Sequence, residues 1–323
     1  MAAERVESVA QVADRLRESV GRVIVGKREP VDLLLVALLC EGHVLIEDVP
    51  GIGKTMLAKA VARSLDCSFQ RIQFTPDLLP SDVTGASVFN QRTGDFAYRP
   101  GPVLSQVVLA DEINRATPRT QAALLEIMEE RQVTVDGVAH PAPRPFLVLA
   151  TQNPIELEGT FPLPEAQLDR FFLRLRMGYP DEAEEMEIVA RFRVMSPLET
   201  LEPIVTSDTL LAMQRACREV HVSPDVQAYI VRLVRATRQH PAIELGASPR
   251  ATLALTRGAQ ALAAMAGRDF VLPDDAKALA VPVMGHRVLL NPQAQLRGRS
   301  VDALVRECVD AVAVPVEAEP VTS

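Results

Sequence analysis

The stretch "HVLIEDVPGIGKTMLAKAVARSL", residues 43–65, decides the architecture. It opens as an apolar run, turns through two glycines and continues as a run of helix formers. Strand, glycine-rich loop, helix is the setting that lifts a phosphate-loop motif above a chance match. Gly51 and Gly53 let the backbone curl so that its N–H groups converge on an anion. The helix that follows adds partial positive charge at its N-terminus. Pro50, Gly51, Ile52, Gly53, Lys54, Thr55 and Met56 are the expected nucleotide contacts. Lys54 is expected to reach the β- and γ-phosphates, and Thr55 to hold Mg²⁺ through its hydroxyl. One residue departs from the strict pattern G-x-x-x-x-G-K-[ST], which has glycine where this chain has Asp48. The phosphate-facing amides come later in the loop, so a side chain at 48 can point away from the ligand.

A hydrolysing phosphate loop needs acids at the end of a second strand, and "VVLADEINRA" (107–116) supplies them. Asp111 is expected to hold Mg²⁺ and Glu112 to orient and deprotonate the attacking water. "VLATQNP" (148–154) ends a further strand, where Asn153 either holds that water or the γ-phosphate or is a plain turn residue. In "EAQLDRFF" (165–172) Arg170 suits the charge of a transferring phosphoryl group. If it faces away from Lys54 it serves a neighbouring copy, which implies a ring or another head-to-tail oligomer. Its alternative is an ion pair with Asp169 or Glu165. Arg250, in "SPRATLAL" (248–255), is either a γ-phosphate contact from a second domain or a solvated first-turn arginine. Arg115 is a weaker candidate for facing a neighbour. Val25 and Gly26 lie against adenine or pack in the core.

Apolar runs at 43–47, 69–74, 107–112, 146–153 and 171–177 alternate with helical patterns at 54–65 and 118–131. That alternation predicts an α/β core built on a parallel sheet covered on both faces. Residues 81–103 and 131–146 read as inserted hairpins, the second with Asp136-Gly137 at its turn. Beyond "GYPD" (178–181) only helical patterns follow, two of them opening Ser-Pro. The expected division is a nucleotide-binding core over 1–179 and an all-helical domain over 180–323, with a disordered tail from about 313.

The net charge of −8 argues against nucleic-acid binding through bulk charge. Four scattered cysteines, with no C-x-x-C pair, suit buried thiols in a reducing compartment rather than disulfides or metal. The amphipathic N-terminus is no secretory signal, and no segment reaches the roughly 18 apolar residues of a membrane span. A cytoplasmic location is expected. No N-K-x-D motif is present to read guanine.

Together "VIVGKREPVDLLLVALL", "LIEDVPGIGKT", "RIQFTPDLLPSDVTG", "VVLADEINRATPRTQAALLEIMEERQVTV", "ATQNPIELEGTFPLPEAQLDRFF" and "SPRATLAL" resemble the AAA+ ATPases, and more closely their MoxR family. The resemblance covers most of the chain. It implies a P-loop αβα core with a helical lid, using ATP and Mg²⁺. It makes Gly51, Gly53, Lys54 and Thr55 the Walker A residues and Asp111 and Glu112 the Walker B pair. Asn153 becomes sensor 1, Arg170 the arginine finger and Arg250 the sensor-2 arginine. The hairpins resemble the helix-2 and pre-sensor-1 inserts of one AAA+ clade. The implied assembly is a hexameric ring that remodels or matures client proteins in a chaperone-like way, with a von Willebrand factor A domain protein as partner. Phe89, Phe96 and Tyr98 could touch the client or simply pack the hairpin. Two alternatives stand beside it. A nucleic-acid-stimulated motor would want basic hairpins, and residues 83–98 and 131–146 offer only Arg92, Arg131 and Arg144, against Asp95 and Asp136. A nucleotide-switched binding platform would not need Glu112.

Overall fold

The computed structural model describes residues 2–92, 94–153, 159–193 and 195–315. The chain forms two compact units, Gln11–Gln214 and Met1–Ala10 with Arg215–Ser323. The sequence-based boundary after residue 179 differs from this division. The segment after 179 packs in the first unit because its charges reach back, Lys27 to Glu184 and Arg191 to the carbonyls of Gly21 and Arg22. The tail expected from about 313 lies, beyond residue 315, outside the described residues.

In chain order the first unit holds most of α1 (Ala2–Gly21), then α2 (Arg28–Leu39), β1 (Val44–Glu47), α3 (Lys54–Ser64), β2 (Phe69–Gln73) and α4 (Pro80–Thr84). Next come β3 (Gly85–Asn90), β4 (Asp95–Pro100), β5 (Val107–Asp111), α5 (Pro118–Glu130), β6 (Gln132–Val135), β7 (Val138–Pro141) and β8 (Leu147–Gln152). Then α6 (Glu165–Leu168), β9 (Leu173–Leu175), α7 (Glu182–Phe192) and most of α8 (Ser207–Arg218) follow. A five-stranded parallel sheet runs in the order β2-β5-β8-β1-β9. Its central strands are apolar on both sides, which water would not tolerate on an open face. Leu45, Val108, Ala110, Val148 and Ala150 form one core with Leu124, Leu125, Ile127 and Met128 of α5. The alternate residues Val44, Ile46, Val107, Leu109, Leu147 and Leu149 are also buried and point to the opposite face, where α3 packs. The α/β core expected from the alternation of strands and helices is therefore the fold observed.

Two hairpins leave this core. In β6–β7, Asp136 and Gly137 both take positive φ, 50° and 78°, the pair of left-handed residues that a tight hairpin turn requires. In β3–β4, Phe89 faces Phe96 across the ladder with ring centroids 5.3 Å apart, and both remain exposed. Tyr98 differs from them. It stacks on His140 of the other hairpin at 3.9 Å, and its hydroxyl donates to the Thr84 carbonyl.

The second unit carries α9 (Pro224–Gln239), β10 (Ile243–Leu245), α10 (Pro249–Met265), α11 (Pro273–Met284), β11 (Leu289–Leu290), α12 (Pro292–Leu296) and α13 (Val301–Asp310). Helices α9, α10, α11 and α13 pack on one another around Tyr229, Leu233, Leu255, Leu279 and Leu304. Ser223 and Ser248 cap α9 and α10, each followed by proline. The short ribbon β10–β11 joins helices in a unit that helical patterning alone describes as all-helical.

Candidate active site

Strand β1 delivers the chain to the loop 48–53, and α3 begins at Lys54 with Gly53 as its N-cap. Gly51 and Gly53 take φ of 85° and 93°, a left-handed backbone that a side chain would strain. The space where a Cβ would stand is open at both, so backbone conformation rather than crowding calls for glycine.

Asp48 turns away from this curl. Its Oδ2 accepts the amides of Met177 and Gly178, both at 2.7 Å, and Oδ1 accepts its neighbour's amide from Val49. A glycine here would leave those two amides without that carboxylate. The departure from the strict motif thus has a structural reason, a tie between the loop and the end of β9. Lys54 Nζ donates to the carbonyls of Asp48 and Val49 at 2.8 and 3.1 Å. Partial burial pulls its pKa below the ordinary lysine value, while Asp111, Asp48 and Glu112 push it back up.

Two cavities meet at the loop. The polar one, of 260 Å³, is lined by Lys54, Thr55, Arg71, Asp111, Glu112, Thr151 and Asn153 together with the loop glycines. Parallel pairing puts the ends of β2, β5 and β8 side by side, which brings residues distant in sequence to one rim. Thr151 fixes the two acids. Its hydroxyl donates to Asp111 Oδ1 at 2.7 Å and accepts the Glu112 amide at 2.9 Å. Arg71 Nε donates to Asp111 Oδ2 at 3.0 Å, with its second nitrogen on the same oxygen. Glu112 Oε2 accepts from Gln73 Nε2 at 2.9 Å and pairs with Arg115 Nε at 3.1 Å. Glu112 also sits at φ 57°, a left-handed backbone that costs a non-glycine residue about 1–3 kcal/mol.

The apolar cavity, of 430 Å³, lies on the other side of the loop. Val23, Ile24 and Val25 form one wall, Met177, Tyr179, Ile188 and Phe192 the other, and Pro50, Ile52 and Met56 close it. Four polar ties hold the walls together. Lys27 Nζ donates to Glu184 Oε2 at 3.0 Å and to the Tyr179 carbonyl at 2.9 Å, and Arg191 grips the carbonyls of Gly21 and Arg22. Gly26 is not in the lining; it lies against the Glu184 carboxylate.

The remaining candidates sit elsewhere. Arg170 donates to the Leu125 carbonyl at 2.8 Å and pairs with Glu129 at 3.8 Å, against α5 and outside both cavities. Neither Asp169 nor Glu165 supplies that pairing. Arg250 opens α10 in the second unit, its amide donating to Ser248 Oγ. Arg115 pairs with Glu112 of its own chain.

Sequence reading missed Arg71 and Thr151 in the polar cavity, and Gln73, which bonds Glu112 from beside it. Thr151 is a polar residue in an apolar strand, whereas Arg71 and Gln73 look like ordinary exposed residues of an edge strand; register gives them meaning, since Gln73 pairs with Asp111, and Thr151 follows the Ala110–Ala150 pair. It also missed Met177, Tyr179, Ile188 and Phe192, which look like ordinary apolar spacing.

A polar cavity with a lysine, a hydroxyl, two carboxylates and a glycine-rich helix N-terminus, beside an apolar cavity, offers the chemistry that the phosphates and base of a nucleotide would need. Comparison with known proteins agrees. Residues 43–173 match the ATPase family associated with various cellular activities (AAA), and residues 235–308 match the AAA lid domain. An uncharacterized protein of Bacillus subtilis, YeaC, is 53% identical over 93% of this chain and 94% of its own. Chaperone MoxR1 of Mycobacterium tuberculosis is 41% identical over 97% of this chain and 85% of its own. A crystal structure of a protein from Cytophaga hutchinsonii superposes with a TM-score of 0.91 at 39% identity, covering 97% of this chain and 98% of that one. With core, lid and near-full-length relatives all agreeing, the chain is an ATPase and belongs to the MoxR family of AAA+ ATPases.

Proposed function

We propose that this ATPase hydrolyses ATP with Mg²⁺ in a ring, hexameric in the simplest case, and uses the cycle to remodel or mature client proteins. A von Willebrand factor A domain protein is the proposed partner. The observation that carries the reading is the position of Arg170, between α6 and β9, packed against α5 and away from the cavity that Lys54, Thr55, Asp111, Glu112 and Asn153 share. An arginine that does not line its own chain's polar cavity is available to a neighbour's. The chaperone part rests on the name of the Mycobacterium relative and on Phe89 and Phe96, 50% and 73% exposed on β3–β4.

Thr55 and Asp111 are the proposed Mg²⁺ ligands. Both offer hard oxygen atoms in one cavity, and among the described residues no cluster of three or more His, Cys, Asp or Glu side chains could hold a metal by itself. That suits Mg²⁺, which is bound through one or two protein groups plus substrate phosphates. When bound, the ion neutralises charge on the β- and γ-phosphate oxygens. Lys54 adds a second positive charge there, Glu112 takes a proton from the attacking water, and Asn153 holds that water or the γ-phosphate. The apolar slot receives adenine, with Val25 on one wall and Ile188 and Phe192 on the other. Arg250 is proposed to report nucleotide from the lid.

The nucleic-acid alternative is weaker than the sequence left it. Arg131 is turned inward, its NH1 donating to the Phe146 carbonyl at 3.0 Å and its guanidinium lying over the Phe146 ring. That leaves Arg92, Arg99 and Arg144 on the hairpins for phosphates. The deciding experiment mixes two inactive variants, Arg170→Ala and Lys54→Ala. Activity regained on mixing is expected, because intact sites form where a sound Lys54 meets a neighbour's Arg170. If the mixture stays as inactive as its components while each variant still assembles, the shared-site reading fails.

A further inference from the structure

The two carboxylates of the polar cavity are both engaged, and not in the same way. Asp111 gives Oδ1 to the Thr151 hydroxyl and Oδ2 to the Arg71 guanidinium, which approaches through two nitrogens. Thr151 is buried and neutral, a fixed support. Arg71 is charged, its side chain 48% exposed, and it comes from β2, an edge strand of the sheet. It lines the same cavity as Lys54 and Thr55. Its other hydrogen bond runs to Gln73 Oε1, and Gln73 in turn donates to Glu112. A half-exposed cation thus stands on one of the two carboxylate oxygens that Asp111 could offer a divalent ion.

We propose that Arg71 is a resident counter-ion of Asp111 that Mg²⁺ must displace, so that metal entry and release of the guanidinium from Asp111 are one linked event. This rests on the assignment of Asp111 as a Mg²⁺ ligand. Two consequences follow from charge alone. Without metal, Arg71 shields incoming ATP from the Asp111 carboxylate. With metal, Arg71 competes, since two cations cannot both hold Oδ2 closely. Both effects narrow the gap between ATP affinity with Mg²⁺ and ATP affinity without it. Arg71 is therefore a positioning residue that sets metal dependence, not a group that touches the reacting atoms.

The test measures equilibrium binding of ATP by calorimetry, in MgCl₂ and in EDTA, on a background that does not turn over (Glu112→Gln). The quantity of interest is the ratio of the dissociation constant in EDTA to that in MgCl₂. Arg71→Gln is expected to raise that ratio about fivefold, the scale of a half-exposed ion pair. Arg71→Lys keeps the charge but loses the two-nitrogen grip, so a smaller rise is expected. If both affinities weaken together and the ratio holds, Arg71 is only a phosphate contact and the proposal is overturned. If the ratio falls, Arg71 builds the metal site rather than guarding it, which overturns it too. Should Arg71→Gln fail to fold, the lysine variant decides alone, an unchanged ratio being the contrary result. A parent protein that binds no ATP in either buffer would instead sink the nucleotide-site reading itself, which keeps the two failures distinct.

Discussion

The two cavities on either side of the loop are held in opposite ways. In the polar cavity each acid is fixed by directed bonds from strand ends, Asp111 by Thr151 and Arg71, Glu112 by Gln73 and Arg115. In the apolar cavity the aliphatic and aromatic lining side chains are held by packing; the directed bonds there come from Lys27, itself in the lining, to Glu184 and the Tyr179 carbonyl, and from Arg191 outside it. Directed bonds place an atom; burial sets a volume. Turnover should therefore depend on single atoms on the polar side, whereas affinity should change smoothly with area on the apolar side.

The largest effect expected is at Glu112. Replacing it with glutamine keeps its size but removes the base, so ATP turnover should fall about 10²- to 10⁴-fold with ATP binding retained. Single-turnover kinetics beside a binding isotherm would show it, and unchanged turnover would end the account of the polar cavity. On the apolar side, Ile188→Ala should raise the Michaelis constant for ATP about tenfold, the worth of one to two fully buried methylenes from a side chain that is only partly buried, with kcat nearly unmoved. A fall in kcat instead would mean that the slot also orients chemistry and the contrast is false. The smallest effect is the most pointed. Asp48→Gly restores the strict motif but abandons the amides of Met177 and Gly178, so thermal stability should drop by about 1–2 kcal/mol. A variant more stable than the parent would show that the carboxylate tie matters little.

Lys54, Thr55, Asp111, Glu112 and Asn153 could be picked from sequence because each is a polar residue at the end of an apolar strand or the start of a helix. The strand pattern sets the depth of each, and parallel pairing does the rest. Arg71 and Thr151 could not be picked the same way, since their partners are set by register between β2, β5 and β8. Ile188 and Phe192 were hidden more deeply. "EAEEMEIVARF" reads as an ordinary amphipathic helix, and its association with residues 21–27 rests on bonds spanning more than 150 positions. The same long-range bonds explain why a boundary drawn at the change of pattern, after 179, differs from the division of the units. Pattern marks where secondary structure changes, not where packing does.

Asp48 does one thing more than excuse a missing glycine. Its carboxylate spans from the phosphate loop to residues 177 and 178, and Met177 and Tyr179 stand in the wall of the apolar slot. Loop and wall are thereby spliced like two boards on a common bracket. On the proposed reading, that bracket joins the part of the site that would hold the phosphates to the wall that would meet the base.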